Sequence, residues 1–190
     1  MSPESPNLTK SVTAGGTRDG QAGTQAAGAK RGNQGRKRQR RQSEYGQQLS
    51  EKQSAKHQYG LREKQFRRYF ELASKTPAAT GEKLLQLLET RLDNVVYRLG
   101  YGKSRAQARQ MVTHGHVKVN GQRASIPSQA VKVGDVVLVT MENTQLGEGE
   151  VPGWLEKSKH ELGGTLKSIP TREEIPLDVN EQLIVEFYSR

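Results

Sequence analysis

Cysteine is absent from the 190 residues, so neither a disulfide nor a thiolate metal site can form, which fits a reducing compartment. Aromatic residues are scarce at 5%, with a single Trp, and hydrophobic residues reach only 32%, below the share of an ordinary globular chain. Mean hydropathy is −0.83, and part of the chain is expected to stay unpacked. No apolar run approaches membrane-spanning length. No secretory pattern opens the chain. Its first residues are rich in Ser and Thr and poor in acid, but they are also poor in Arg, which argues against an organellar transit peptide. There is no P-loop, no G-x-S-x-G nucleophile motif and no internal repeat, and Gly100-Tyr101-Gly102 is too short for a dinucleotide fingerprint. The carboxylates form no evident catalytic pair. His114 and His116 lack a third ligand and make a poor metal site. The expectation is a chain without enzymatic activity, cofactor, metal, small-molecule substrate or membrane partner.

Positive charge is abundant. Net charge is +10, and the pI of about 9.9 favours an anionic partner. Residues 1–80 carry a net +10, residues 81–140 a net +5 and residues 141–190 a net −5. A basic front and middle with an acidic rear suggest two surfaces, one for nucleic acid and one for something else; a solvated acidic tail is the alternative. Met1–Ala29 has no periodicity and reads as disordered or ordered only on binding. Lys30–Arg41 is a basic run, KRGNQGRKRQRR. Its Arg36, Lys37, Arg38, Arg40 and Arg41 read as a solvated block, a nuclear-localisation-like patch or a segment threaded along phosphates.

Helical periodicity begins at Ser43, a candidate cap for a helix to Lys56 in which Tyr45 and Leu49 share a face. Leu61–Ser74 is a clearer helix, with Phe66, Tyr69, Phe70 and Ala73 as its apolar stripe and Lys64, Arg67 and Arg68 off it. Aromatics beside basic residues can stack on bases, but the helical spacing makes Phe66 and Phe70 core residues. After a break at Thr76-Pro77, Thr80 is a candidate cap. The spacing of Leu84, Leu88, Leu92, Val95 and Leu99 predicts one helix over Glu82–Leu99, ended by Gly100. Arg91 and Arg98 flank it and either reach phosphate or, in the case of Arg91, pair locally with Glu89 or Asp93.

The stretch from Arg91 to Val139 carries the most information. Its second helix opens with Ser104 and, three residues on, Gln107, a capping signal. Arg105 and Arg109 project from one face, while Ala108, Met111 and Val112 turn to a core. Gly115 stands where a left-handed stop is needed. His116 to Asn120 alternates with period two, and Asn120-Gly121 is a strong hairpin signal. The polar face combines Lys103, Ser104, Arg105, Arg109, His114, His116 and Lys118 and suits a phosphate backbone. Farther on, Ile126-Pro127 is extended, Val136–Val139 reads as a buried strand and Gly147–Gly153 as an acidic loop. Trp154 reads as a core anchor, Pro170–Pro176 as irregular, and the alternation of Leu183, Val185 and Phe187 as a terminal strand.

The run SRAQARQMVTHGHVKVNG, followed by VKVGDVV, resembles the S4 RNA-binding domain. The flanks QSEYGQQLSEKQ, LREKQFRRYF, GEKLLQLLETRLDNVVYRLG and LDVNEQLIVEFYSR are similar to the bacterial-type small-subunit ribosomal protein S4 family. The likeness covers residues 28–190. It fails over the first residues, where many members carry a structured, sometimes zinc-binding segment that a cysteine-free chain cannot build. The expected fold class is α+β: a mostly helical lobe plus an S4 domain of two helices and a small, largely antiparallel β-sheet, behind a disordered basic N-terminal extension. Boundaries fall at 1–42 (extension), 43–90 (helical lobe), 91–150 (S4 domain) and 151–190 (a segment packing back on the helical lobe).

The resemblance implies direct binding to 16S-type small-subunit rRNA, early subunit assembly and an influence on decoding accuracy. It also implies contact with ribosomal protein S5, with other small-subunit proteins and with mRNA near its entry path, in a cytoplasmic or else a plastid ribosome. The rRNA-binding candidates are the five cations of the basic run, Tyr45, Lys64, Arg67, Arg68, Arg91, Arg98, Lys103, Ser104, Arg105, Gln107, Arg109, His114, His116, Lys118 and Asn120. A free-standing regulator, or an RNA-modifying enzyme carrying the same module, is the alternative.

Overall fold

The computed structural model describes residues 43–141 and 150–190. The expected disordered extension, the basic run with Arg36, Lys37, Arg38, Arg40 and Arg41, and the start of the acidic loop lie outside the described residues. Among them the chain forms six helices and a five-stranded antiparallel sheet.

Ser43 accepts the N–H of Gly46 at 3.2 Å and starts α1 (Glu44–Gln58). Next come α2 (Glu63–Ser74) and α3 (Thr80–Glu89). Thr80, expected as a cap, is already helical; Ala79 holds the cap position and has no side-chain bond to offer. The single helix expected to Leu99 is two helices, α3 and α4 (Leu92–Arg98), separated by Thr90 and an extended Arg91. The segment 126–131 crosses there. The Gln129 and Pro127 carbonyls accept the N–H groups of Leu92 and Asp93, and Val131 donates to the Thr90 carbonyl. These bonds satisfy groups that a helix interior would otherwise pair. The apolar spacing runs through the break because both helices bury the same side.

α5 (Arg105–Thr113) ends at Gly115, which has φ +75° and leaves room for the Arg123 guanidinium. The hairpin β1 (Val117–Val119) and β2 (Gln122–Ala124) turns through Asn120 and Gly121, both left-handed at φ 51° and 79°, as a two-residue type I′ loop requires. β3 (Val136–Val139), β4 (Leu155–Lys157) and β5 (Gly163–Leu166) complete the sheet in the order β2-β1-β3-β5-β4. β3 is buried on one face only, and Val136 is exposed.

Residues 151–190, expected to pack back as one segment, divide. β4 and β5 join the sheet, while Ile175, Leu177, Val179 and Ile184 enter the core of the helical half. The expected terminal strand is a helix, α6 (Glu181–Tyr188), in which the Asn180 side chain accepts the Gln182 N–H at 3.0 Å. Its run is apolar at nearly every position, so it satisfies both periods. Packing decides: Ile184 is buried, and Tyr188 stacks on Phe70 with ring centroids 4.6 Å apart.

There are thus two cores. Ala55, Phe66, Leu84, Leu85, Leu88 and Ile184 fill one between α1, α2, α3 and α6. Leu92, Val96, Leu99, Ala108, Val112, Val117, Val137 and Trp154 fill the other, between α4, α5 and the sheet. No described helix is long and apolar enough to cross a membrane.

At Gly163 a Cβ would overlap the Val137 carbonyl oxygen and the Leu138 side chain on β3. Gly163→Ala is expected to destabilise the fold by about 1–3 kcal/mol through overpacking; a urea midpoint equal to that of the wild type would refute the close approach of β3 and β5.

Candidate nucleic-acid interface

The structure sorts the expected cations into two groups. The first is internal. Arg91 is almost fully buried; its Nε and Nη2 donate to Asp93 at 3.1 and 2.9 Å, and its Nη1 to the Tyr69 hydroxyl at 2.6 Å. The local pairing with Asp93 is therefore the one realised. Arg98 binds Glu89 through Nε and Nη2 at 2.9 and 2.6 Å. Arg105 and Arg109 do share a face, but that face is turned toward the helical half. Arg109 donates to Asp93 at 2.8 Å, to the Gly60 carbonyl at 2.6 Å and to the Tyr59 carbonyl at 3.2 Å. Arg105 donates to Asn94 at 2.9 Å and lies over the Tyr59 and Tyr97 rings, 5.0 and 4.7 Å from their centroids. Its Nη2 is buried and has no hydrogen-bond partner among the described residues.

Glu89, with no exposed surface, is the hub of this cluster. Besides Arg98 it accepts the Tyr59 hydroxyl at 2.7 Å and the Asn94 amide at 2.6 Å. Burial alone would raise its carboxyl pKa, but the hydrogen bonds and charge of Arg98, helped by Tyr59 and Asn94, hold it below the ordinary range. Burial, and then the Glu89 charge, pushes the Tyr59 phenol well up. Burial, followed by the like charge of Arg98, lowers Arg105. Three guanidinium groups thus bond two carboxylates, and that of Arg105 bonds Asn94 beside them. Sequence reasoning missed Tyr59, Asn94 and the hub role of Glu89; the available signal was two acids, Glu89 and Asp93, set among the leucines and valines of the buried face.

The second group is external. On α2, Lys64 and Arg68 are exposed, whereas Arg67 pairs with Glu71 at 3.1 Å. At the start of α5, Lys103 is exposed. Ser104 caps the helix by accepting the Gln107 N–H at 3.2 Å, and the Gln107 side chain accepts the Lys103 N–H at 2.8 Å. Ser104 and Gln107 therefore present the helix start rather than standing free. At the other end of α5, about 13 Å along its axis, the His114 and His116 rings stand 6.2 Å apart. Lys118 points outward from β1 opposite Arg123 on β2. Arg123 was missed, although the two-residue turn already pairs 118 with 123; it donates to the His114 carbonyl at 3.0 Å. Asn120 is structural: its side chain accepts the Val136 N–H and donates to Asp135. Tyr45 is half exposed, with its ring 5.6 Å from that of Phe187. No group of three metal-ligating side chains occurs among the described residues.

A pair of helices on a small antiparallel sheet, with cations at both ends of the second helix, defines an S4-type RNA-binding module. The S4 domain family model matches residues 90–137, and the model of the ribosomal protein S4/S9 N-terminal domain matches residues 16–89. The small ribosomal subunit protein uS4 of Dictyoglomus turgidum is 57% identical over 160 residues, covering 80% of this chain and 78% of the relative. The uS4 proteins of Delftia acidovorans (52%, covering 85% and 83%) and Chloroflexus aurantiacus (51%, covering 80% and 80%) are similar. The chain belongs to the uS4 family of small-subunit ribosomal proteins.

Because the folded pKa of Glu89 lies below its ordinary 4.5, its stabilisation is present above that value and lost as pH falls through the depressed one. Glu89→Gln should cost about 3–5 kcal/mol at neutral pH, since it strands Arg98. It should also flatten the loss of stability on acidification below pH 4.5, as read by denaturant titration across pH. An acid profile parallel to that of the wild type would argue against a charged Glu89.

Proposed function

We propose that this protein is a structural, non-catalytic constituent of the small ribosomal subunit that binds 16S-type rRNA directly. The observation that carries this reading is the division of its cations. A buried acid–arginine cluster joins the two halves, and exposed cations without an ion-pair partner among the described residues remain outside: Lys64 and Arg68 on one half, Lys103 and Lys118 on the other. Such a frame holds charges at set positions against a folded polyanion. Lysine and arginine displace counterions from phosphate, and shape rather than base sequence is read, because an A-form groove hides most base edges. Lys103 and Ser104 at the α5 N-terminus, the pair His114 and His116, and Lys118 form the proposed contact face, with Arg123 added to it. Tyr45, Gln107 and Asn120 support or border that face, and Arg67 reaches phosphate after leaving Glu71. Arg36, Lys37, Arg38, Arg40 and Arg41 add positive charge for the rRNA phosphates.

Roles in subunit assembly and decoding accuracy, and contacts with ribosomal protein S5, other small-subunit proteins and mRNA near the entry path, rest on family membership alone. So does location in a cytoplasmic ribosome.

Binding to a 16S-type rRNA transcript should fall about a thousandfold or more between low and moderate salt if roughly six to ten phosphates are neutralised. Lys103→Ala and Lys118→Ala should each make the log K against log salt slope shallower by about one. Stoichiometric co-sedimentation with small subunits is expected; trace amounts would instead favour a free-standing regulator.

A further inference from the structure

The free cations lie on two halves with separate cores, and their spacing is only as well defined as the joint between those halves. Tyr59 stands at that joint and is 3% exposed. Three of its parts are used. Its hydroxyl donates to Glu89, its carbonyl accepts Arg109, and its ring lies under Arg105. Arg109 spends Nε, Nη1 and Nη2 on Asp93, Gly60 and Tyr59, and its side chain is 32% exposed. The Arg98 side chain is 11% exposed, with both of its bonds on Glu89. Arg105 lies over two aromatic rings, those of Tyr59 and Tyr97. A phosphate on the bonded nitrogens of Arg98 would cost a bond to Glu89, and one on those of Arg109 a bond to Asp93 or to the Tyr59 turn, while Arg105 is bonded to Asn94 and has its Nη2 buried.

We propose that Arg98, Arg105 and Arg109 are positioning residues for RNA: they clamp Tyr59, Glu89 and Asp93 into a rigid joint that fixes the distance between the external cations of the two halves, and they do not contact the RNA. The proposal rests on the RNA-binding reading above. Two halves with fixed spacing bind a structured polyanion as one pre-ordered surface. If the joint loosens, the same cations must be ordered on binding, which weakens association while leaving the number of neutralised phosphates unchanged. A contacting residue behaves differently, because its loss removes one released counterion and lowers the salt slope. Affinity and slope therefore separate the two roles.

The test is a salt series of binding constants for the full chain and a 16S-type rRNA transcript. Tyr59→Phe combined with Arg109→Gln removes the hydroxyl bond to Glu89 and the guanidinium bridge while keeping the Tyr59 ring. The expected result is affinity about tenfold lower at every salt concentration with an unchanged slope. A slope shallower by about one, or an unchanged affinity, overturns the proposal. Circular dichroism at the assay temperature checks folding. If the double variant is unfolded, Tyr59→Phe alone is decisive, because this side chain cannot reach RNA: affinity about threefold lower at constant slope is expected, and wild-type affinity overturns the joint. Failure of the RNA reading itself has a separate signature, namely wild-type binding that hardly varies with salt.

Discussion

Two carboxylates in the interior, Glu89 and Asp93, hold the halves of this molecule in register. Removing a charge from water costs several kcal/mol even after relaxation, and only close, well-directed partners offset it. Both acids have them. Glu89 has a guanidinium, a phenol and an amide; Asp93 has Arg91 and Arg109. Arginine suits this work because its planar fork reaches several acceptors at once and keeps its charge. An apolar contact of equal area could be as stable, but it would not dictate a single arrangement of two cores as a directional network does.

That network explains why residues of one type have two fates. Arginines within reach of Glu89 or Asp93 are drawn inward, and the cations left outside are mostly lysines or lie far from those acids. A similar rule governs the acidic rear of the chain. Glu181 pairs with Arg172, which also donates to the Val179 carbonyl and so ties the irregular 170–180 segment to the start of α6. Glu186 accepts the Gln48 amide on α1. Part of the rear negative charge is thus internal glue, while Glu173, Glu174 and Asp178 remain on the surface.

Local signals were legible in the sequence, and long-range ones were not. The Ser43 and Ser104 caps, the Gly115 stop and the Asn120-Gly121 turn each depend on a few neighbouring residues, and the sequence announces them. The break at Thr90-Arg91 depends on carbonyls almost forty residues away, which no periodicity contains. Alternating and helical spacings coincide in LIVEFY, and the choice is settled by the burial of Ile184 and the stacking of Tyr188 on Phe66 and Phe70. At the site, Lys103 and Lys118 stay exposed, as their polar neighbours suggested. Arg98, Arg105 and Arg109 looked available, and Arg91 either available or paired locally. Arg91 pairs with its near neighbour Asp93, whereas Arg98, Arg105 and Arg109 are engaged by partners on other elements, among them Tyr59, which carries no charge pattern to betray it.

The placement of α6 bears on how the chain comes off the ribosome that makes it. The α4–α5–sheet half has all its strands once residue 166 has been made. The helical half begins with α1 but lacks Ile175, Leu177, Val179 and Ile184 until the final stretch is synthesised. Its earliest helices must therefore wait, with Phe66 incompletely covered, for residues more than a hundred positions distant in sequence. Such a nascent chain would complete the α4–α5–sheet half before the helical half, because α6 follows β5 in the chain.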